Sequence, residues 1–432
     1  MFRRAFVLLA GTLALAACTT VPETGAGGYR PPSILNPGTS AVPLAQPLPG
    51  TAAQAGPAAP AGRSVAILAP LTGANAERGL ALVRAAQLAL EPAGSPPLDV
   101  RDTAGTPQGA AAAAEAAIAA GDGMIIGPLT TAETAAVAPP ARHAGVPVLA
   151  FTSDPAQAQP GVWPFGLTPA QQVRRMVGAV LTRGKNRFAA LLPQTEFGTI
   201  MGSALTQAAT SAGAPSPDVR FYEGSNQAIS GAVRDISGYA ARRGPLDAQM
   251  KAARARHDAE GRRIAADLSR QSVPAAPFDA LLLADTGDHL AWLSSFLPYY
   301  DIGPDSVRVL GPALWAQPST RAGAELAGAW FAAPDPAARA AFTEAYSAKY
   351  GTPAPGLADF AYDAASIARV LAEGEGYSRA ALCRPEGFAG TDGLLGLQPD
   401  GTVRRGLALF AIQRGGPVII EPAPDNMSAP GV

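Results

Sequence analysis

The sequence has few of the residues on which enzyme active sites and metal centres usually depend. Its 432 residues include two cysteines, Cys18 and Cys383, and three histidines. Two cysteines exclude a disulfide-built scaffold and any zinc site with several cysteine ligands. No G-x-S-x-G, Walker A or H-E-x-x-H sequence occurs. These absences predict a binding protein with no cofactor and no metal, not an enzyme.

Charge is also scarce and balanced. Charged residues make up 16% of the chain, and 33 Lys and Arg against 34 Asp and Glu leave a net charge of -1. Nucleic-acid-binding proteins normally carry a basic surface, so a nucleic-acid partner is not expected. The length allows two or three compact units or one bilobal protein. Gly 47 and Pro 42 together are high enough to predict one low-complexity tract.

The N-terminus has the pattern of an export signal. Arg3 and Arg4 precede an apolar run over residues 5–17, which is too short to span a bilayer permanently. The sequence LAAC ending at Cys18 resembles a bacterial lipobox, in which the thiol forms a thioether to diacylglycerol. A plain secretory signal with an incidental cysteine is the alternative. Thr19 follows the cysteine, and by resemblance to the lipoprotein sorting rule this favours anchoring to the outer membrane from the periplasm.

A tether is predicted between this anchor and the folded body. Residues 19–62 contain nine prolines and show no apolar periodicity. Such a segment cannot bury enough apolar surface to offset its ordering entropy, so residues 18–62 are predicted to be disordered. The membrane would then be reached only through the lipid anchor.

The folded part alternates short β-rich runs with Ala-rich helical stretches. Strands are predicted at 65–70, 98–102, 124–126, 146–151, 187–193, 218–222, 278–285 and 307–310. Helices are predicted at 77–90, 107–120, 131–144, 169–183, 198–212 and 287–297. Continuous apolar strands separated by helices indicate βαβ units and parallel sheets covered on both faces. Because the pattern restarts after Thr168, the sequence predicts two α/β lobes with a cleft at the carboxyl ends of their strands.

One charged helical stretch, residues 230–272, interrupts the second lobe. It contains several arginines, and its basic excess is local because the whole chain is neutral. We interpret it as a solvated helical insert, with a docking surface for a partner protein as the alternative.

Several segments resemble the type 1 periplasmic-binding-protein family, and in particular the penicillin-binding protein activator lipoproteins. The segments that carry the likeness are VAILAPLTG (65–73), DTAGT (102–106), IIGPLTTAETAAVAPPARHAGVPVLAFTSD (125–154), LPYYDIGPDSVRVLGPALW (297–315) and LADFAYDAASI (357–367). The resemblance implies two doubly wound Rossmann-like lobes with an interlobe cleft, and three crossings near 166–168, 332–336 and 389–393. It would assign 63–167 and 336–389 to lobe 1, 168–335 and 390–422 to lobe 2, and leave 423–432 as a disordered tail.

The same resemblance suggests ligand-binding positions on lobe 1. In amino-acid receptors of this fold, Ser and Thr after the third and fourth strands hold the ligand carboxylate. Thr130, Thr131, Thr152 and Ser153 occupy the matching turns, and Thr72 and Gly73 follow the first strand. The turn at 130–131 also leads into a helix N-terminus, which favours an anion. The alternative for Thr130 is a simple helix N-cap.

On lobe 2 the resemblance is less complete. Phe197, after the first strand of this lobe, can pack against a ligand but has no hydroxyl. The turn that ends at Trp315 lacks the carboxylate that receptors use to hold the ligand ammonium, and a buried ammonium without a countercharge is costly. Glu196 or Asp285 are possible substitutes, although Asp285 and Thr286 are equally well explained as a helix cap.

Two functions follow from these patterns. The first is a non-enzymatic outer-membrane lipoprotein that activates a peptidoglycan synthase, that is, a penicillin-binding protein. The alternative is a solute receptor for an amino acid or a similar small anion, linked to amino-acid transport. An open cleft lined by threonines would favour the receptor, and a cleft filled by Trp315 and Phe197 would favour a docking module.

Overall fold

A computed structural model describes residues 62–317, 326–428 and 431. The predicted signal, Cys18 and the tether up to residue 61 lie outside the described residues. No helix within the described ranges is long and apolar enough to cross a membrane.

The first lobe is built on a parallel five-stranded sheet. Its strands are β1 (Val65–Ala69), β2 (Leu98–Asp102), β3 (Met124–Ile126), β4 (Val148–Ala150) and β5 (Val162–Pro164). The helices between them are α1 (Ala76–Ala89), α2 (Pro107–Ala120) and α3 (Thr131–Ala144). The strand order β2-β1-β3-β4-β5 is that of a doubly wound sheet. Its alternate side chains enter two apolar cores, so both faces are covered.

The second lobe repeats this order of strands. Its parallel strands are β6 (Phe188–Pro193), β7 (Asp218–Tyr222), β8 (Ala280–Leu283), β9 (Arg308–Gly311) and β10 (Trp330–Ala333). Its helices are α4 (Pro169–Leu181), α5 (Glu196–Ser211), α6 (Asn226–Ile236), α7 (Tyr239–Ala255), α8 (Ala259–Ser269) and α9 (Gly287–Tyr299). The order β7-β6-β8-β9-β10 matches that of the first lobe, and cores again cover both faces. The predicted fold of two doubly wound lobes is confirmed.

The part of the chain after residue 335 contributes to both lobes. Its elements are α10 (Pro336–Tyr350), α11 (Ala358–Ala372), α12 (Arg379–Leu382), β11 (Phe388–Gly390), β12 (Gly393–Leu397), β13 (Val403–Arg405), β14 (Ala408–Gln413) and β15 (Gly416–Glu421). Strands β14 and β15 extend the second sheet in antiparallel orientation, whereas β11 to β13 form a separate small sheet. The chain therefore passes between the lobes at 165–168, 334–335 and 406–407.

The structure corrects two predicted boundaries. Residues 390–405 were expected in the second lobe, but Leu395, Leu397 and Val403 belong to the first core, so the third crossing is at 406–407 and not at 389–393. The predicted disordered tail begins with Ala423, which packs against the second core.

The charged insert is shorter than the predicted 230–272. Helix α6 belongs to the lobe itself, because Ile229, Val233 and Ile236 are buried in the second core. The insert is the hairpin of α7 and α8, whose apolar seam (Met250, Ala253, Ala265 and Leu268) forms a core of its own.

A buried arginine lies beside the crossings. The Arg405 side chain is 0% exposed, and its Nη2 donates to the carbonyl oxygen of Phe165 at 2.8 Å. Its Nη1 lies 3.5 Å from Asp392 Oδ2, and the guanidinium faces the rings of Phe165 and Phe360. Arg405 therefore links the first crossing to the strand that leads into the third.

Two further buried carboxylates, on α11, interact with Asp392. Burial raises the pKa of Asp359 to about 7, an effect that Asp392 increases and the ion pair with Arg339 opposes. Burial also raises the pKa of Asp363 to about 6, although Asp363 accepts a hydrogen bond from the Thr391 N–H at 2.7 Å. Protonation of this cluster therefore affects the region where the lobes join.

Candidate functional site

A cleft of about 720 Å³ lies between the lobes, at the carboxyl ends of their strands. Doubly wound sheets bind ligands at this end. The first lobe contributes Thr131, Thr152, Ser153, Asp154 and Pro155. The second lobe contributes Pro169, Gln172, Glu196, Phe197, Ile200, Pro312, Ala313, Leu314, Ala316, Gln317 and Ala333, with Leu167 and Pro334 from the crossings.

On the first-lobe wall, the threonine hydroxyls bond within the protein. Thr131 Oγ1 and Thr152 Oγ1 are 3.0 Å apart, and Thr152 Oγ1 also accepts from the Asp154 N–H at 3.1 Å. Thr152 is buried, whereas Ser153 is exposed. The structure thus brings Thr131, Thr152 and Ser153 together at the predicted place.

Thr130 is instead occupied in capping α3. Its hydroxyl donates to Glu133 Oε2 at 2.7 Å, and the Glu133 N–H donates back to Thr130 Oγ1 at 3.3 Å. Glu133 is itself fully buried and accepts from the Thr103 hydroxyl. The N-cap alternative therefore accounts for Thr130, whose side chain is directed along the helix end and not into the cleft.

Replacement of Thr130 tests this assignment. Thr130→Ala removes the cap and should lower the free energy of unfolding by about 1 kcal/mol. Thr130→Ser keeps the hydroxyl and should stay close to the parent chain. Urea unfolding measures both variants, and an alanine variant as stable as the serine variant would contradict the capping role.

Thr72 and Gly73 do not line the cleft. Asp102 Oδ2 accepts the Thr72 hydroxyl at 2.7 Å, and Asp102 Oδ1 accepts the N–H groups of Leu71 and Ala104. Desolvation raises the pKa of Asp102, but the hydrogen bonds from Thr72 and the backbone outweigh it and bring the pKa below its usual value. The turn after β1 is thus held by its own carboxylate, which corrects the prediction for this pair.

Trp315 also lies elsewhere than predicted. It is 2% exposed, it is part of the second core, and its Nε1 donates to the carbonyl oxygen of Asp285 at 3.0 Å. Its ring packs on Gly311, where an added Cβ would come within 2.3 Å of ring atoms. Because Trp315 turns inward, it leaves the cleft open, and Leu314 takes the exposed position beside it.

The second-lobe wall is formed by Glu196 and Phe197 at the start of α5, with Ile200 one turn further on. The Phe197 ring is partly buried against the lobe core, whereas Glu196 is exposed. The predicted positions of both residues in the cleft agree with the lining.

Asp285 and Thr286 line an adjoining pocket of about 400 Å³, which shares Phe197 and Leu314 with the main cleft. Asp285 Oδ2 accepts the Tyr222 hydroxyl at 2.6 Å and lies 3.3 Å from His289 Nδ1. Asp285 Oδ1 accepts the Thr286 N–H at 2.8 Å. Desolvation and this carboxylate raise the pKa of Tyr222, so Tyr222 remains a neutral donor. The Asp285 carboxylate is therefore already in contact with three groups of the protein: the Tyr222 hydroxyl, the Thr286 N–H and the His289 ring.

Asp154 and Gln172 are cleft residues that the sequence analysis missed. Asp154 immediately follows Ser153 in the motif that was singled out, so its position was available from the sequence. Gln172 accepts from the Ala313 N–H at 2.7 Å and ties α4 to the turn after β9. No sequence pattern indicated this contact, because it joins residues 141 positions apart.

The charged residues in the described lining of the cleft are all acidic. Asp154 on one wall and Glu196 on the other are carboxylates, and the lining contributed by residues 62–317 and 326–428 includes no Lys, Arg or His. Since like charges repel, an anionic ligand beside Thr152 and Ser153 would lie close to Asp154, and no cation in the described lining would compensate. The cleft therefore suits a neutral or cationic group better than a carboxylate.

Comparison with known proteins defines the class. The sequence profile of the periplasmic binding protein family matches residues 64–382, and the chain belongs to this family. Membership implies a periplasmic location and places the chain among binding proteins. Among curated proteins, none matches the chain significantly by sequence.

Solved structures with the same fold include proteins of both expected kinds. Full-length LpoA from Haemophilus influenzae superimposes with a TM-score of 0.58 at 17% identity, over 83% of this chain and 59% of that one. The LpoA C-domain, a regulator of PBP1A, gives 0.57 at 17% identity over 83% and 99% of the two chains. A putative branched-chain amino acid ABC transporter protein from Rhodospirillum rubrum gives 0.61 at 19% identity over 83% and 99%. These identities establish the shared fold alone, and the chain spans 59% of full-length LpoA.

Proposed function

We propose that the chain is a non-enzymatic, outer-membrane-anchored lipoprotein that regulates a peptidoglycan synthase through its receptor-like fold. The cleft is open, which by itself favours a solute receptor, but its charge does not suit an amino-acid carboxylate, and this charge is the observation that carries the proposal. Thr131 and Thr152 bond to each other, and Asp154 stands beside the corner in which receptors hold the ligand carboxylate. A carboxylate at this position would repel the carboxylate of an amino acid, so the cleft is poorly suited to an amino-acid ligand.

Two further features support this proposal. The lipobox at Cys18 and the Pro-rich tether suit a body that works at a distance from its membrane, as a regulator of a membrane-bound synthase must. The LpoA C-domain, a regulator of PBP1A, has the same fold.

Direct binding tests the proposal. Purified full chain should bind the purified periplasmic part of a bifunctional peptidoglycan synthase from the same organism with a micromolar or lower Kd, measured by calorimetry. Heat-unfolded chain is the control. A titration that shows no binding to any such synthase of the organism would contradict the proposed partner.

A solute receptor is the second candidate, and the open cleft of about 720 Å³ favours it. With Asp154 and Glu196 on opposite walls, such a ligand would carry a positive group. A bound ligand at a hundredfold excess over Kd raises the free energy of unfolding by about 2.7 kcal/mol. A thermal-shift series with amino acids, organic anions and amines decides between the candidates. Regulation without a solute predicts an unchanged Tm throughout, whereas a shift that is lost in Glu196→Gln would favour the receptor.

A further inference from the structure

The hairpin of α7 and α8 carries a concentrated positive charge. Residues 239–272 hold eight Lys and Arg against four Asp and Glu, a local net charge of +4 in a chain whose total is -1. Since the seam of the hairpin is apolar, this charge lies on its outer surface. The hairpin is therefore the part of the second lobe best suited to meet an anionic surface.

Five of these eight basic residues have no ion-pair partner within the described ranges. Ion pairs neutralise some of the cations: Arg243 with Asp247 and Asp301, Arg256 with Asp258 and Glu260, and Arg270 with Asp267. The Arg242 guanidinium donates hydrogen bonds to backbone carbonyl oxygens. Lys251, Arg254, Arg262 and Arg263 are all exposed and remain available to a partner.

Three of these four cations share one face of the hairpin. Lys251 and Arg254 each follow a buried seam residue of α7 by one position, and Arg262 follows the buried Gly261 of α8 in the same way. One residue turns an α-helix by about 100°. In two antiparallel helices, the residue after each seam position therefore points to the same side. Arg263, one residue further on, precedes the partly buried Ile264 and is turned about 100° away from Arg262, so it lies off this face.

Aromatic residues at the base of the hairpin indicate the kind of partner. Tyr299 is 69% exposed and packs edge-on against Tyr300, with ring centroids 4.9 Å apart. Tyr300 in turn contacts Tyr239, the first residue of α7, at 5.2 Å. Exposed Tyr together with Arg is the composition of protein-binding hot spots. Asp247 and Asp301, beside Arg243, would be repelled by a uniformly anionic bilayer, so a protein with a mixed surface fits better.

We propose that the face formed by Lys251, Arg254 and Arg262 binds an acidic surface patch of the peptidoglycan synthase. This inference rests on the proposed function and names the surface through which it is carried out. Charges at an exposed interface act mainly on the association rate and on its salt dependence. Binding should therefore weaken steeply with added salt.

Two adjacent arginines provide the test. Arg262→Glu should weaken binding of the full chain to the purified synthase by about tenfold, whereas Arg263→Glu, which lies off this face, should change it by less than about twofold. The triple variant Lys251→Glu, Arg254→Glu, Arg262→Glu should lose binding and most of its salt dependence. Since all these side chains are exposed, circular dichroism and Tm should match the parent chain.

The outcomes separate this inference from the function on which it rests. A triple variant that binds the synthase as tightly as the parent overturns the hairpin surface and leaves the regulatory function in place. Equal losses for Arg262→Glu and Arg263→Glu also overturn it, because the effect would not be confined to one face. Absence of binding by the parent chain overturns the function and the docking surface together. Binding of the parent to phosphatidylglycerol vesicles, with synthase affinity unaffected by the triple variant, would assign the face to lipid.

Discussion

Arg405→Met is expected to be the most destabilising single substitution considered for this protein. Methionine can fill much of the space between the rings of Phe165 and Phe360, but it leaves Asp392 buried without its cation. Removing one partner of a buried ion pair costs about 3–5 kcal/mol, because the other charge stays desolvated. The loss of the bond to the Phe165 carbonyl oxygen adds to this cost. Urea unfolding followed by circular dichroism measures it.

Arg404→Met is the matched control. Arg404 is the adjacent residue of β13 and is exposed, so its replacement should change stability by less than about 0.5 kcal/mol. Adding Asp392→Asn to Arg405→Met should recover part of the lost stability, since the uncompensated charge is removed. Equal stability of the two methionine variants would show that the buried charge does not hold the lobe junction.

Asp359 and Asp363 should make the protein less stable as pH rises from about 5 to about 8. The folded-state pKa values of Asp359 and Asp363 are raised, to about 7 and about 6, whereas an unfolded Asp titrates near about 3.9. Between these values the folded state binds more protons than the unfolded state, so the free energy of unfolding decreases with pH. The groups facing these carboxylates are Arg339, Arg405 and Asp392.

Asp363→Asn isolates this effect. The amide oxygen can still accept the Thr391 N–H, but the side chain no longer has to be deprotonated in the core. We expect the variant to exceed the parent by roughly 1–3 kcal/mol above neutral pH, and to match it near about pH 4. Urea unfolding across this pH range measures the difference. A parent chain whose stability rises between about pH 5 and about pH 8, or a variant with the parent's pH profile, would contradict the assignment.

Much of the fold was accessible from the sequence because its strands are continuous apolar runs. The predicted bounds of β2 (98–102), β3 (124–126) and β7 (218–222) agree with the structure, since each run is closed by a turn and followed by a helical stretch. The Pro-Asp-Gly sequence at 399–401, which is typical of a turn, joins two antiparallel strands, β12 and β13. The third crossing was misplaced because Leu395, Leu397 and Val403 alternate as any half-buried strand does, and alternation does not say which core a strand faces.

The cleft was less predictable because its geometry depends on where turns direct their side chains. Thr131 and Thr152 lie where the motif placed them, whereas Trp315 turns into its own lobe to reach the carbonyl oxygen of Asp285. An apolar residue after a strand can face the cleft or the core, and only packing decides. The charge of the cleft depends on Asp154 and Glu196, which are separated in sequence and come together only across the lobes.

The central claim, that this receptor-like body regulates a synthase without chemistry of its own, is tested most directly by the synthase reaction. Glycan polymerisation and peptide cross-linking by the purified synthase are followed at increasing concentrations of the full chain. The predicted result is a saturable increase in rate, reduced by the Arg262→Glu variant and unaffected by Arg263→Glu, with no turnover by the chain alone. Rates that stay unchanged up to saturating chain, or substrate turnover by the chain in the absence of synthase, would contradict the claim.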